Sequence, residues 1–245
     1  MQTYDIAVFA HRGKVRTRNE DAILAGGTVY QDSVRTVIAE RLDGEPHSLV
    51  VADGIGGQPE GALASRTALH FLATNPDLVA SPDRCEAALH AANDRLYEMM
   101  NEPGRAGMGT TIVGVVVQAA ALIAFNVGDS RVYRFGRSGL IKLSQEDTAP
   151  LALGGKGQSH VITQSLGGCA FPVAIEPHLS VGPPMQVGER FMLCSDGLTD
   201  VLDDEAIAAA LRERATPSKV VERLVRQAIE AGTRDNISVV VGACV

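Results

Sequence analysis

The sequence has 245 residues, 45% of them hydrophobic but only 4% aromatic and none Trp, enough material for one sizeable core filled by Val, Leu, Ile and Ala. The formal net charge is −7 and no Lys/Arg-rich run appears, which excludes nucleic-acid binding by phosphate neutralisation. Four cysteines without CxxC spacing fit a reducing compartment, and neither a signal peptide nor a stretch of the roughly 20 apolar residues a spanning helix needs is present, so a cytoplasmic protein without a membrane segment is expected.

In chain order, strand signals occupy Tyr4–Ala10, Val34–Ala39 and Ser48–Ala52. A helix is predicted from about Glu60 to Ala73, ended by Asn75-Pro76. Ser81 then caps a second amphipathic helix that runs to about Met100. A meander follows, with strands at Thr110–Val117, Ala120–Val127, Arg131–Phe135 and Leu140–Leu143, the first two as a hairpin. From Ser144 to about Gly188 the pattern fades into a Gly- and Pro-rich excursion that contains Gly154-Gly155-Lys156-Gly157. Regular structure resumes at Arg190–Cys194, followed by helices at about Asp204–Arg214 and Pro217–Ala231 and a last strand at Ile237–Gly242. Runs of strands and runs of helices, rather than strict alternation, exclude Rossmann and TIM patterns and predict antiparallel sheets with helices outside.

Four aspartates stand where apolar strands meet turn residues: Asp53 after Ser48–Ala52, Asp129 after Ala121–Val127, Asp196 after Arg190–Cys194, and Asp235 before Ile237–Val241. A lone Asp-Gly is an ordinary turn dipeptide. Four such carboxylates on one sheet edge would repel each other unless cations neutralise them. Oxygen-only ligands select Mg²⁺ or Mn²⁺, and two such ions form a hydrolytic device suited to phosphate esters. The developing charge calls for an arginine, and Arg16 in Gly13-Lys-Val-Arg16-Thr-Arg18-Asn19-Glu20-Asp21 is the candidate.

That segment resembles the Gly-x-x-Arg-x-x-Asn-Glu-Asp motif of the metal-dependent Ser/Thr protein phosphatases of the protein phosphatase 2C type. Val51-Ala-Asp53-Gly54-Ile55-Gly56-Gly57, Gly109-Thr110-Thr111, Asn126-Val-Gly-Asp129-Ser130-Arg131, Ser195-Asp196-Gly197-Leu198 and Asp235-Asn236-Ile237-Ser238 resemble further motifs, in the family's order. The resemblance implies an α+β fold, a four-layer αββα sandwich of two packed antiparallel sheets flanked by helices. It implies one catalytic domain over 1–245 with a flap at about 146–188. It implies hydrolysis of phosphoserine and phosphothreonine by attack of a metal-bridging water or hydroxide. Asp53 would bridge two Mn²⁺ or Mg²⁺ ions, with the Gly54 carbonyl on one of them, where the missing Cβ permits the backbone turn. Asp196 and Asp235 would hold the other ion, and Asp129 would help bind a third, looser one. Glu20 and Asp21 would act through metal-bound waters, and Arg16 would grip the substrate phosphate.

The chain departs from the family at Ala10-His11-Arg12-Gly13, at Ile55 where eukaryotic-type members have a His, at Glu146-Asp147-Thr148 in place of Asp-His-Ser, and at Thr163-Gln164-Ser165 in place of Thr-Arg-Ala. Ile55 fits the bacterial type. Expected partners are phosphorylated Ser/Thr proteins, the products of a partner Ser/Thr kinase, met by a monomer. A catalytically inactive phosphoprotein-binding relative and a two-metal phosphatase of small phosphate esters are the alternatives.

Overall fold

Valine-rich runs with few polar positions read as strands covered on both faces. That condition is met in the computed structural model, which describes residues 2–31, 37–44, 46–55, 59–150 and 161–245. The first half of the chain forms β1 (Thr3–His11), β2 (Ala22–Ala25), β3 (Thr28–Tyr30), β4 (Ile38–Asp43), β5 (His47–Ala52) and the short β6 (Gly54–Ile55), then helices α1 (Pro59–Thr74) and α2 (Pro82–Met100). The meander comprises β7 (Gly109–Thr110), β8 (Ile112–Val117), β9 (Leu122–Val127), β10 (Arg131–Gly136) and β11 (Gly139–Lys142). After it come β12 (Leu166–Gly167), β13 (His178–Gly182), β14 (Arg190–Cys194), helices α3 (Asp196–Thr199), α4 (Asp204–Arg212) and α5 (Pro217–Ala231), and β15 (Ile237–Cys244).

Two antiparallel sheets of six strands result, in the orders β11-β10-β14-β15-β1-β4 and β13-β9-β8-β5-β2-β3. Alternation along β1 shows how they stack. Tyr4, Ile6, Val8 and Ala10 share a core with Leu49, Val51, Val113 and Val115 of the opposite sheet, while Ala7 and Phe9 pack under Leu211, Leu224 and Ala228 of α4 and α5. Val50, Ala52 and Val116 meet Leu69, Leu72, Leu89 and Leu96 of α1 and α2. Three apolar layers therefore separate helices, sheet, sheet and helices, the expected four-layer order. Among the described residues no helix is long and apolar enough to cross a membrane.

Local signals hold at the helix ends. The Ser81 hydroxyl accepts the Arg84 N–H at 3.3 Å, the Asp203 carboxylate accepts the Ala206 N–H at 2.9 Å, and Gly232 leaves α5 at φ +89°. In each sheet a phenylalanine lies over a cross-strand glycine, Phe125 against Gly114 and Phe191 against Gly242; a Cβ there would come within 2.2 and 2.1 Å of the ring tip.

The strand predicted at Thr110–Val117 is two strands, because Thr110 pairs with Gly54 and Leu166 in a small third sheet before Ile112 joins the large one. The excursion from Ser144 to Gly188 is less irregular than expected. It contains β12 and also β13, which pairs with β9 as an edge strand. Of the strand predicted at Val34–Ala39, positions 34–36 lie outside the described residues, as do Gly56-Gly57 and Gly154–Gly157, and β4 begins at Ile38. The short β2 and β3 carried no signal of their own.

Candidate metal centre

The carboxylates reach one rim because the strands that precede and follow them are tied there by backbone contacts. The Asp53 carbonyl accepts the Thr111 N–H at 2.8 Å and the Thr110 hydroxyl at 2.9 Å. The Thr111 hydroxyl lies 3.0 Å from Ser130 Oγ, next to Asp129. Gly128 makes this contact possible: it sits at φ +104°, and a Cβ would lie 2.7 Å from the Thr111 side chain. At the end of the other sheet, where α3 follows β14, a Cβ on Gly197 would lie 1.8 Å from the Asn236 carbonyl, so Asp196 and Asp235 flank one close backbone approach. Gly54 is required for the same reason. Its φ is not left-handed, and a Cβ would fall 2.4 Å from the Gly61 carbonyl and 2.6 Å from that of Glu20. Space, not the turn expected from Asp-Gly, keeps that position glycine.

The segment 12–21 joins the two sheets across the rim. Asp21 Oδ2 accepts the Ser195 hydroxyl at 2.9 Å. Asn236 accepts the Glu20 N–H at 2.8 Å and donates to the Arg12 and Arg18 carbonyls at 3.1 and 2.9 Å. Arg16 is held in this way beside the aspartates, its Nη2 2.6 Å from Asp235 Oδ2.

Electrostatics report how closely the carboxylates are gathered. Burial, followed by Asp21, Asp196, Asp235 and Asp129, lifts Asp53 well above the usual carboxylate range. Burial, followed by Asp129, Asp200, Asp235 and Asp21, pushes Asp196 to about 8. Asp21 is fully buried and pushed to about 6, chiefly by desolvation, with the Ser238 and Ser195 hydroxyls pulling the other way. Arg16 is held charged by its bond to Asp235. Like charges confined this way favour protonation unless a cation is present.

Among the described residues no three His, Cys, Asp or Glu side chains stand at ligand spacing around one point, and Asp235 turns to Arg16. The donor set nonetheless fits a hard cation. Asp21 Oδ1 and Asp196 Oδ1 are buried with no hydrogen-bond donor, which is costly for a carboxylate oxygen. The available donors are all oxygen, as Mg²⁺ and Mn²⁺ require.

Asp129 and Asp196 also line a cavity of about 510 Å³ with Arg131, Glu146, Thr148 and Asp200. Asp53 and Asp129 are thus brought together from one sheet, Asp196 and Asp235 from the other, and Glu20, Asp21 and Arg16 between them. Asp21 lies in the middle of the charges rather than at their margin. Asp200 and Asn236 were not anticipated as site residues. The signal for Asp200 was its place one helical turn after Asp196, whose carbonyl accepts the Asp200 N–H at 2.8 Å.

A family model described as protein phosphatase 2C matches residues 21–231. The serine/threonine protein phosphatase PstP of Mycobacterium tuberculosis is 30% identical over 250 residues, which cover 96% of this chain and 44% of that protein; the chain thus spans less than half of that relative's length. The serine/threonine phosphatase stp of Listeria monocytogenes is 26% identical, covering 93% of this chain and 91% of its own. The crystal structure of the PstP catalytic domain in complex with two manganese ions superposes with a TM-score of 0.79 at 28% identity, covering 100% of both chains. Together with the rim of aspartates, these matches show that the chain belongs to the protein phosphatase 2C family.

Proposed function

We propose that the chain is a bacterial-type phosphoprotein phosphatase that hydrolyses phosphoserine and phosphothreonine with Mn²⁺ or Mg²⁺. The observation that carries this reading is one rim holding Asp53, Asp129, Asp196 and Asp235 together with Arg16, with a buried oxygen of Asp196 lacking a donor. Asp53 would be shared between two ions, with the Gly54 carbonyl beside it, Asp196 and Asp235 would hold one of them, and Asp129 would hold a third. Such ions supply Lewis-acid polarisation of the phosphoryl group and an acidified water.

Arg16 orients the substrate. Its guanidinium binds two phosphate oxygens at once and offsets the charge that develops on them. Ile55 carries no titratable group, so no proton reaches the leaving group through that position. The Asn236 bonds to the carbonyls of Arg12 and Arg18 keep the Arg16 loop over the rim. Substrates of this kind are made by Ser/Thr kinases, and the chain would act on them as a monomer inside the cell; the choice of phosphoprotein substrates draws on relatives named serine/threonine phosphatases.

The test is Mn²⁺-dependent hydrolysis of a phosphothreonine peptide, with Asp53→Asn and Asp196→Asn alongside. Loss of turnover in both variants is expected. Near-normal turnover in either overturns the assignment, and turnover of p-nitrophenyl phosphate without phosphopeptide turnover redirects it to small esters.

A further inference from the structure

Two of the places where the chain departs from the family's motifs are bonded to each other. Gln164 Nε2 donates to Asp147 Oδ2 at 3.0 Å. The same carboxylate oxygen accepts the Gly128 N–H at 2.8 Å, and Oδ1 meets His178 Nε2 at 2.7 Å. Backbone bonds reinforce the side chain: the Asp147 N–H donates to the Gly128 carbonyl at 3.0 Å, and the Thr163 N–H donates to the Asp147 carbonyl at 2.8 Å. Gln164 in turn clasps Glu176, accepting its N–H and donating to its carbonyl. The Asp147 side chain is 11% exposed.

One carboxylate thus joins three parts of the chain that are remote in sequence. They are the Gly128 turn that presents Asp129, the loop at Thr163-Gln164 just before β12, and the start of β13 at His178. Asn126 fastens the same turn from its other side, donating to the Gln145 carbonyl at 2.7 Å and to the Gly128 carbonyl at 3.2 Å. Thr148, next to Asp147, lines the cavity that Asp129 and Asp196 share.

We propose that Asp147 is a positioning residue: with Gln164 and His178 it locks the Gly128–Asp129 turn to the strap 163–178, fixing the Asp129 carboxylate at the rim. The inference rests on the reading of Asp129 as ligand to a third, looser ion. A carboxylate largely withdrawn from solvent and met by three polar groups holds its partners in one geometry. Residues that hold a ligand rather than touch the ion alter affinity by about 10- to 100-fold.

The experiment is a calorimetric Mn²⁺ titration of the whole protein with Asp147→Ala, Gln164→Ala and the double variant, paired with limited proteolysis of the metal-free forms. In Asp147→Ala the weaker Mn²⁺ binding event is expected to lose about tenfold in affinity while the tighter one stays within about twofold, and the strap is expected to be cut faster. Gln164→Ala should shift the same event less, and the double variant no further than Asp147→Ala, because the two side chains act through one contact. A merely structural role would lower the thermal midpoint and leave the two Mn²⁺ events in their original ratio. That outcome, or losses that multiply in the double variant, overturns the proposal. If Asp147→Ala does not fold, Gln164→Ala alone decides it, by whether the weaker event shifts. Absence of a weaker event in the unaltered protein removes the reading of Asp129 and this inference together, whereas its presence with no response to either substitution removes the inference alone.

Discussion

Arg16 Nη2 stands 2.6 Å from Asp235 Oδ2, although 219 positions separate them in sequence. The residue assigned to grip the phosphate is thereby neutralised by one assigned to hold a cation. Both side chains are partly exposed, 43% and 29%, so the pair is worth no more than about 1 kcal/mol and yields easily when phosphate and a divalent ion arrive. Arg16→Ala should lower kcat/KM for a phosphopeptide by roughly 10- to 100-fold, the value of a hydrogen bond to a charged group, while Mn²⁺ affinity measured by calorimetry holds or tightens. Unchanged kcat/KM would remove Arg16 from the phosphate site.

The aspartates raise one another's affinity for protons, so cation binding should stabilise the fold. At a free Mn²⁺ concentration 100 times Kd the gain is about 2.7 kcal/mol, a rise in Tm of about 5–10 °C for a chain of this size. Thermal scans with MnCl₂ and with EDTA check this, and Asp196→Asn should reduce the difference. Equal midpoints with and without the metal would contradict it.

Gly197 and Gly232 make a matched pair of substitutions. A Cβ on Gly197 meets the Asn236 carbonyl, backbone that cannot swing aside, whereas Gly232 has nothing within 4 Å and only its φ of +89° to protect. Gly232→Ala should cost about 1 kcal/mol. Gly197→Ala should cost about 3 kcal/mol or more and also weaken Mn²⁺ binding by spreading Asp196 from Asp235. Urea midpoints and metal titration separate the two. Similar costs would show that the approach at Gly197 is relieved elsewhere.

Cysteine reactivity tests the layered core. Burial pushes the Cys85 and Cys194 thiols up to about 12, so at pH 8, far below that value, both stay protonated and unreactive. Cys244 is buried as well, and Cys169 is exposed. Ellman's reagent at pH 8 should therefore titrate Cys169 quickly in the native protein and the other three cysteines only after denaturation. Cys169→Ala should abolish the fast phase; rapid reaction of a second thiol would show that a core opens.

The rim was legible because each of its carboxylates borders a short, strongly apolar run, and such runs read as buried strands. Asp53, Asp129, Asp196 and Asp235 therefore stood out before any contact was known. Elements that are very short or bury only part of their surface left no such trace. β13 carries His178 and Ser180 among its apolar residues and pairs on one side only, and β2 is four residues long. The close approach of the Gly61 and Glu20 carbonyls to Gly54 was not legible, because such a contact has no signature in the residues beside it. Asp200 was hidden because its neighbour Asp196 reads as a turn, not as the first residue of a helix. The link between Asp147 and Gln164 is a contact between loops, and nothing in their spacing announces it.

β1 and β15 lie side by side at the centre of their sheet, pairing Tyr4 with Cys244 and His11 with Ile237. During synthesis, a chain that has emerged only as far as Gly232 lacks both the neighbour that β1 needs and the Asp235 carboxylate. The sheet closes and the rim gains its last aspartate in the same step. A chain cut before β15 would therefore expose one side of β1 and lack the fourth aspartate of the rim, so the same short segment completes both the core and the carboxylate cluster.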